Sequence, residues 1–360
     1  MKTLVSTCQD AVNTIALDAM GGDNAPDCVI SGAAIAGEHH PEIRFLFFGD
    51  QSKIEPLLNE HSALKERSEI IHTPDIITSE MKPSLALRQG RNSSMRLAIN
   101  AVAENKAGCV VSSGNTGALM AIAKFVLRTL PGIDRPAIAT LIPTKNGESV
   151  MLDLGANIEC DAENLVQFAL MGAVFSHTVL GKKEPSIGLL NIGTEELKGH
   201  DEVRIAASIL RERPIPGRVL GFVEGNDITA GTVDVIVTDG FSGNIALKSI
   251  EGAALLITHF LREAIESSLM AKLGYLLARG AFKTLKKRAD PRKYNGAMFL
   301  GLQGVCVKSH GGTDAEGFAN AIEVAHNLVL RGFNERIAKE VAAQYGINGS
   351  VPSQTAAQED

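Results

Sequence analysis

The chain has 360 residues, 45% of them hydrophobic and 21% charged, with a formal net charge of −6. This balance excludes a disordered chain and a disulfide-stapled miniprotein, and the acidic whole excludes a general nucleic-acid binder, which needs basic surface to displace phosphate counterions. The five cysteines, Cys8, Cys28, Cys109, Cys160 and Cys306, are scattered and never form a Cys-x-x-Cys pair, which predicts a reducing cytoplasmic setting and no zinc ribbon.

The apolar run at the N-terminus is broken by Cys8, Gln9 and Asp10 and is too short for a signal-peptide core. Short apolar and β-branched runs at 14–18, 43–48, 108–111, 150–153, 187–191 and 233–238 then predict strands, most of them followed by a helical pattern. Each parallel crossover must carry the chain back over the sheet, so this alternation predicts a doubly wound, mainly parallel α/β sheet. The uncharged stretch 164–181 approaches membrane-spanning length, but Asn164, Gln167, Ser176, His177 and Thr178 make it a buried helix instead. From 249 to 287 the strands stop. Ile250, Ala254, Ile257, Leu261 and Ile265 form one helical stripe and Leu269, Leu273, Leu276 and Leu277 a second, predicting a projecting helical hairpin over 249–290. That hairpin belongs to a single two-lobed domain spanning 14–335, and the Ser-, Gln- and Ala-rich tail 346–360 is expected to be disordered.

Five of the predicted strands empty into loops that set Asp or Asn beside Gly, at 18–24, 112–117, 153–157, 191–194 and 239–244. Ligands of open parallel sheets bind beyond the carboxyl ends of strands, so these loops predict one cleft lined by Asp18, Gly22, Asp153, Asn157, Asn191 and Asp239. Turn and cap chemistry explains any single loop, but five together favour a site. The 112–117 loop opens a helix at 118–127, whose unpaired amides and partial positive charge suit an anion. There Ser113, Gly114, Asn115 and Thr116 supply close backbone approach and side-chain donors. No Lys-Ser or Lys-Thr follows the glycine and no Gly-x-Gly-x-x-Gly occurs, so neither a nucleoside triphosphate nor a dinucleotide cofactor is expected.

Lys198 lies one turn past 191–194, where it is either a cation over the sheet or a solvated loop lysine, and His310 ends an apolar run where it could donate to a carbonyl or a leaving group. Asp18, Asp23, Asp153 and Asp239 could hold magnesium, but all four are good turn or cap residues and bare carboxylates would repel phosphate, so no metal is expected. His39 and His40 adjoin Pro41 on a predicted surface turn and offer no clear metal geometry. With no Gly-x-Ser-x-Gly elbow, and Cys109 embedded in a strand, direct attack by bound phosphate fits better than a covalent enzyme intermediate.

Between 279 and 293 stand seven basic residues, Arg279, Lys283, Lys286, Lys287, Arg288, Arg292 and Lys293, against Asp290 alone, a local net charge of +6. Beside Leu276, Leu277 and Phe282, this stripe suits an anionic membrane surface or an acidic protein partner, while a dimer-interface helix with solvated charges explains it equally well.

Seven ordered motifs between 14 and 332 resemble the bacterial phosphate acyltransferases that convert acyl-[acyl-carrier protein] and inorganic phosphate into acyl phosphate for phospholipid synthesis. They are Leu17-Asp18-Ala19-Met20-Gly21-Gly22-Asp23, Ser113-Gly114-Asn115-Thr116-Gly117-Ala118-Leu119-Met120, Asp153-Leu154-Gly155-Ala156-Asn157, Leu190-Asn191-Ile192-Gly193 with Lys198-Gly199, Gly221-Phe222-Val223-Glu224-Gly225, Asp239-Gly240-Phe241 with Gly243-Asn244, and Ser309-His310-Gly311. The resemblance implies a fold like the isocitrate and isopropylmalate dehydrogenases and the phosphotransacetylases, a homodimer, and a product handed to a membrane glycerol-3-phosphate acyltransferase. It also implies a cytoplasmic enzyme peripherally associated with the inner face of the cell membrane. Ser112-Ser113 stands where the family usually has Ser-Ala, and Ser242 where an aliphatic is common, so a side-chain role at Ser113 transfers less readily. In the reaction so implied, phosphate attacks the thioester carbonyl, and Lys198, Asn244 or His310 is the candidate for stabilising the oxyanion. The alternatives are a phosphotransacetylase-type activity on acyl-coenzyme A and a non-catalytic membrane scaffold.

Overall fold

The computed structural model describes residues 8–288 and 290–346, so the tail expected beyond Gly346 lies outside the described residues. Eleven strands among them form one sheet: β1 (Thr14–Asp18), β2 (Arg44–Gly49), β3 (Ser68–His72), β4 (Cys109–Ser112), β5 (Ala137–Thr144), β6 (Gly147–Leu152), β7 (Ser186–Leu190), β8 (Arg218–Val223), β9 (Val235–Val237), β10 (Ala297–Leu300) and β11 (Val305–Lys308). Their order across the sheet is β3-β2-β1-β4-β11-β10-β5-β6-β9-β7-β8.

Alternation along the strands builds two cores, one on each face. In β1, Ile15 and Leu17 join the core with Phe45, Phe47 and the long helix Ala162–Leu180, while Ala16 turns to the opposite face with Phe48, Met95 and Val110. The 162–180 helix is buried nearly all round and is fixed at its start by a reciprocal cap. Asp161 accepts the Asn164 amide at 2.8 Å while the Asn164 side chain accepts the Asp161 amide at 3.3 Å. No helix among the described residues is long and apolar enough to cross a membrane.

The sheet is mostly parallel, in two blocks. Strands β3, β2, β1, β4 and β11 run together, as do β6, β9, β7 and β8, but the junctions β11–β10, β10–β5 and β5–β6 are antiparallel. Three reversals are an odd number, so the carboxyl ends of the two blocks lie on opposite edges of the sheet. This departs from the single doubly wound arrangement expected from sequence. The antiparallel strand β10 and its neighbour β11 have four residues each, too short for period-2 alternation to stand out, and β3 and β8 are edge strands whose exposed residues blur the apolar run.

Beyond β9 the chain enters three successive helices, Gly240–Glu266, Leu269–Leu277 and Arg279–Arg288. The predicted hairpin starts nine residues late, because Asp239 caps the first helix by accepting the Ser242 amide at 2.8 Å. Leu276 and Leu277 are 61% and 83% exposed, and Leu255, Ile257 and Leu269 are exposed as well. Phe282 is half-buried and packs against Tyr275, with ring centroids 4.9 Å apart.

Candidate active site

The carboxyl ends of β1, β4 and β11 meet around Asp18, which is 1% exposed. A buried carboxylate requires donors, and it has them: Ser94 donates to Oδ1 at 2.6 Å and Ser112 to Oδ2 at 2.7 Å. Burial raises the Asp18 pKa, and the two hydroxyls and the Lys308 charge oppose that rise. Ser112 Oγ in turn accepts the Gly114 amide at 3.1 Å, so the anion loop is tied to the carboxylate beneath it.

Glycine is required where the first loop crosses the second. A side chain on Gly21 would stand 2.5 Å from Asp18 Oδ2 and 2.7 Å from the Gly114 nitrogen, and one on Gly22, whose φ is +100°, would stand 2.5 Å from Ser113 Oγ. Ser113 donates to the Gly21 carbonyl at 2.6 Å and thereby joins the two loops. The Asp23 amide donates to the Gly311 carbonyl at 2.9 Å, which ties both to the loop after β11.

Asn115 caps the helix Thr116–Leu127 by accepting the Ala118 amide at 3.0 Å. Its side-chain amide is committed as well, donating to the carbonyls of Thr78, Ser79 and Met81 at 3.3, 2.8 and 2.9 Å. Asn115 therefore holds the loop and the 78–81 segment in place, and the donors left for an anion are the first-turn amides of the exposed Thr116 and Gly117.

Lys308, at the end of β11, completes this group and was not singled out from sequence. Its ammonium donates to the Ser113 carbonyl at 3.2 Å and to the Ser309 carbonyl. Burial lowers its pKa from 10.5 to about 8, against the pull of Asp18 and Asp23 and with a smaller push from Lys248. The signal available was a lysine closing an apolar strand, a position that demands carboxylate partners. His310 is exposed beside it. Its Nδ1 accepts the Gly312 amide at 3.2 Å, so the neutral ring carries its proton on Nε2 and can donate it outward.

A second group gathers at the carboxyl ends of β6 and β9. Asp153 is fully buried and saturated, accepting the amides of Ile138, Ala156 and Asn157 at 2.8, 3.1 and 2.7 Å and the Asn157 side chain at 3.0 Å. Burial raises its pKa, and those four donors oppose the rise. The Asn157 side chain also donates to the Pro136 carbonyl at 2.8 Å, and Asn244 donates to the Leu154 carbonyl at 3.0 Å. A side chain on Gly243 would stand 1.9 Å from the Asp153 carbonyl oxygen, which is why the Gly240–Glu266 helix can start against this loop. Asn191 accepts the Ile192 amide at 2.9 Å and donates to the Lys198 carbonyl at 3.0 Å, folding the 191–199 loop so that Lys198 is exposed.

The predicted residues thus divide into two groups. Asp18, Gly22, Ser113, Gly114, Asn115, Thr116 and His310 come together at one sheet edge, while Asp153, Asn157, Asp239 and Asn244, with Asn191 and Lys198 beyond them, belong to the block of opposite direction. The Gly240–Glu266 helix spans the gap. It starts at the second group and brings Lys248, about 13 Å along its axis, within electrostatic reach of Lys308.

A family model described as fatty acid synthesis protein matches residues 13–336. A phosphate acyltransferase of Rhodospirillum centenum is 68% identical over 328 residues, covering 91% of this chain and 92% of the relative. One from Paramagnetospirillum magneticum is 59% identical over 330 residues, covering 92% and 94%. Among solved structures, phosphotransacetylases of Streptococcus pyogenes and Staphylococcus aureus share the fold, with TM-scores of 0.58 and 0.56 at 16% identity, covering 91% and 90% of this chain and 99% of each of theirs. With a family model matched over most of its length and relatives this similar, the chain belongs to the fatty acid synthesis protein family.

Proposed function

We propose that the chain transfers a fatty acyl group from acyl-[acyl-carrier protein] to inorganic phosphate, with phosphate held between the first-turn amides at Thr116 and Gly117 and the Lys308 ammonium. The observation that carries this is Lys308, whose ammonium donates to the carbonyl of Ser113 in the loop that opens the helix Thr116–Leu127, so that a cation and the partial positive charge of a helix N-terminus adjoin the same loop. Monoprotonated phosphate brings both the nucleophile and the proton that the reaction needs. Its oxygen forms the new C–O bond, the tetrahedral oxyanion collapses, the C–S bond breaks, and the thiolate leaves as a thiol with the proton that phosphate gave up. His310, with its proton on Nε2, donates a hydrogen bond to the developing charge and keeps its own proton. Lys198 and Asn244, which belong to the second group, are the further candidates for the oxyanion, Asn244 with its amide already donating to the Leu154 carbonyl. No strong general base is required, because the phosphate dianion is nucleophilic at neutral pH.

The surroundings of the reaction belong to the same proposal. The fold groups with the isocitrate and isopropylmalate dehydrogenases, the chain forms one two-lobed domain and acts as a homodimer, and the exposed apolar residues at Leu276 and Leu277 meet an anionic membrane at its inner face, where a membrane glycerol-3-phosphate acyltransferase takes the acyl phosphate. One experiment decides the donor: rates of acyl phosphate formation with one acyl chain on carrier protein and on coenzyme A. Faster turnover with carrier protein is expected, while preference for coenzyme A gives the phosphotransacetylase reading, and lipid binding with neither thioester consumed gives the scaffold.

A further inference from the structure

At the amino edge of β1 and β2, away from the anion loop, three potential metal ligands converge from separate parts of the chain. His40 follows the helix Asp27–His39, Glu42 lies just before β2, and His326 sits on the helix Ala315–Leu330. One nitrogen of each imidazole and one Glu42 carboxylate oxygen all lie within 4.8 Å of one another. His40 Nδ1 is 3.5 Å from Glu42 Oε1, close to the edge of a tetrahedron with bonds of about 2.0–2.1 Å, which is about 3.4 Å. The two rings meet edge to face with centroids 5.6 Å apart.

An independent observation points the same way. His326 is 1% exposed, and its Nδ1 is buried with no hydrogen-bond partner. Its Nε2 faces Asn13 Oδ1 at 3.4 Å, and because an amide oxygen only accepts, the ring proton sits on Nε2 and the Nδ1 lone pair is left over. A histidine whose other nitrogen donates to a fixed acceptor is arranged as metal-binding histidines are. His39 does not compete, since its Nδ1 is held by Glu323 at 2.7 Å. The expectation of no metal geometry at His40 rested on chain neighbours alone, whereas the third ligand arrives from 286 residues away in sequence.

We propose that His40, Glu42 and His326 bind one zinc-class transition ion, with water in the fourth position. Two imidazoles and a carboxylate suit zinc rather than magnesium or calcium, which prefer all-oxygen shells. Bound there, the ion joins the Asp27–His39 and Ala315–Leu330 helices to the sheet edge, and the five residues of β1 set it about 17 Å from Asp18.

The test uses the full chain, stripped with a chelator and titrated with zinc near neutral pH, then loaded with cobalt for its visible spectrum. One zinc per chain is expected, with a raised melting temperature and tetrahedral cobalt bands lacking thiolate charge transfer. His40→Ala, at a half-buried position, and Glu42→Gln, at an exposed and near-isosteric one that keeps the fold, should each weaken zinc binding by at least about tenfold. Turnover of acyl thioester should survive both substitutions. A chain that binds no zinc, binding unaltered by either substitution, or a cobalt spectrum showing cysteine ligation overturns the proposal.

Discussion

Ser112 donates to Asp18 at 2.7 Å with the same oxygen that accepts the Gly114 amide at 3.1 Å, so one hydroxyl couples a fully buried carboxylate to the loop above it. Replacing Ser112 by Ala removes one of the two hydroxyl donors to Asp18 and frees the Gly114 amide. Stability should fall by about 1–3 kcal/mol in denaturant titration, and the phosphate KM should rise because the loop loses its anchor. A stable variant with unaltered KM would show that the coupling has no bearing on phosphate.

Lys308 separates binding from stability by pH. Its folded pKa, about 8, lies below the ordinary 10.5, so between these values the unfolded chain binds more protons than the folded one. The contribution of this group to stability therefore rises with pH through that window. Phosphate affinity should move the other way, falling as the ammonium is lost above about pH 8. Steady-state KM for phosphate and chemical denaturation, measured across the window in the wild type and in Lys308→Met, should show both trends in the first and neither in the second.

Asn115 can be dissected by two substitutions. Asn115→Asp keeps the acceptor that caps the helix but loses the donors that hold Thr78, Ser79 and Met81, whereas Asn115→Leu loses both. Both variants should lose about tenfold to hundredfold in phosphate-limited efficiency and some stability with the 78–81 contacts, and the Leu variant should lose about 1 kcal/mol more to the missing cap. Phosphate dependence that stays the same in two folded variants would take this loop out of the site.

Lys198 is exposed on a loop that Asn191 closes. Lys198→Met should keep the loop and its melting temperature while sharply reducing turnover at saturating phosphate and carrier protein, because the charge acts on the transition state. Turnover near that of the wild type would make Lys198 an ordinary surface lysine.

Leu276 and Leu277 expose apolar surface that a soluble face does not need. Changing both to Glu should abolish sedimentation with anionic vesicles while leaving dimerisation and soluble turnover intact, and added salt should weaken sedimentation of the unmodified protein. If the double variant falls to monomers, these side chains belong to a subunit interface instead.

What the sequence determined by itself was local. The 14–18 run is a strand because Ile15 and Leu17 face one core and Ala16 the other, and the 112–117 loop opens a helix because Asn115 can cap it; both follow from neighbours a few residues apart. Gly21 and Gly243 were visible as glycines beside polar residues, but the oxygens that forbid a side chain there come from elsewhere in the chain. Tertiary structure alone decided the rest. Lys308 became part of the site only when β11 inserted beside β4, and the five polar loops separated into two groups because three antiparallel junctions reverse the second block. Strand direction and long-range pairing leave little trace in composition or periodicity, because a strand has the same alternation whichever way it runs.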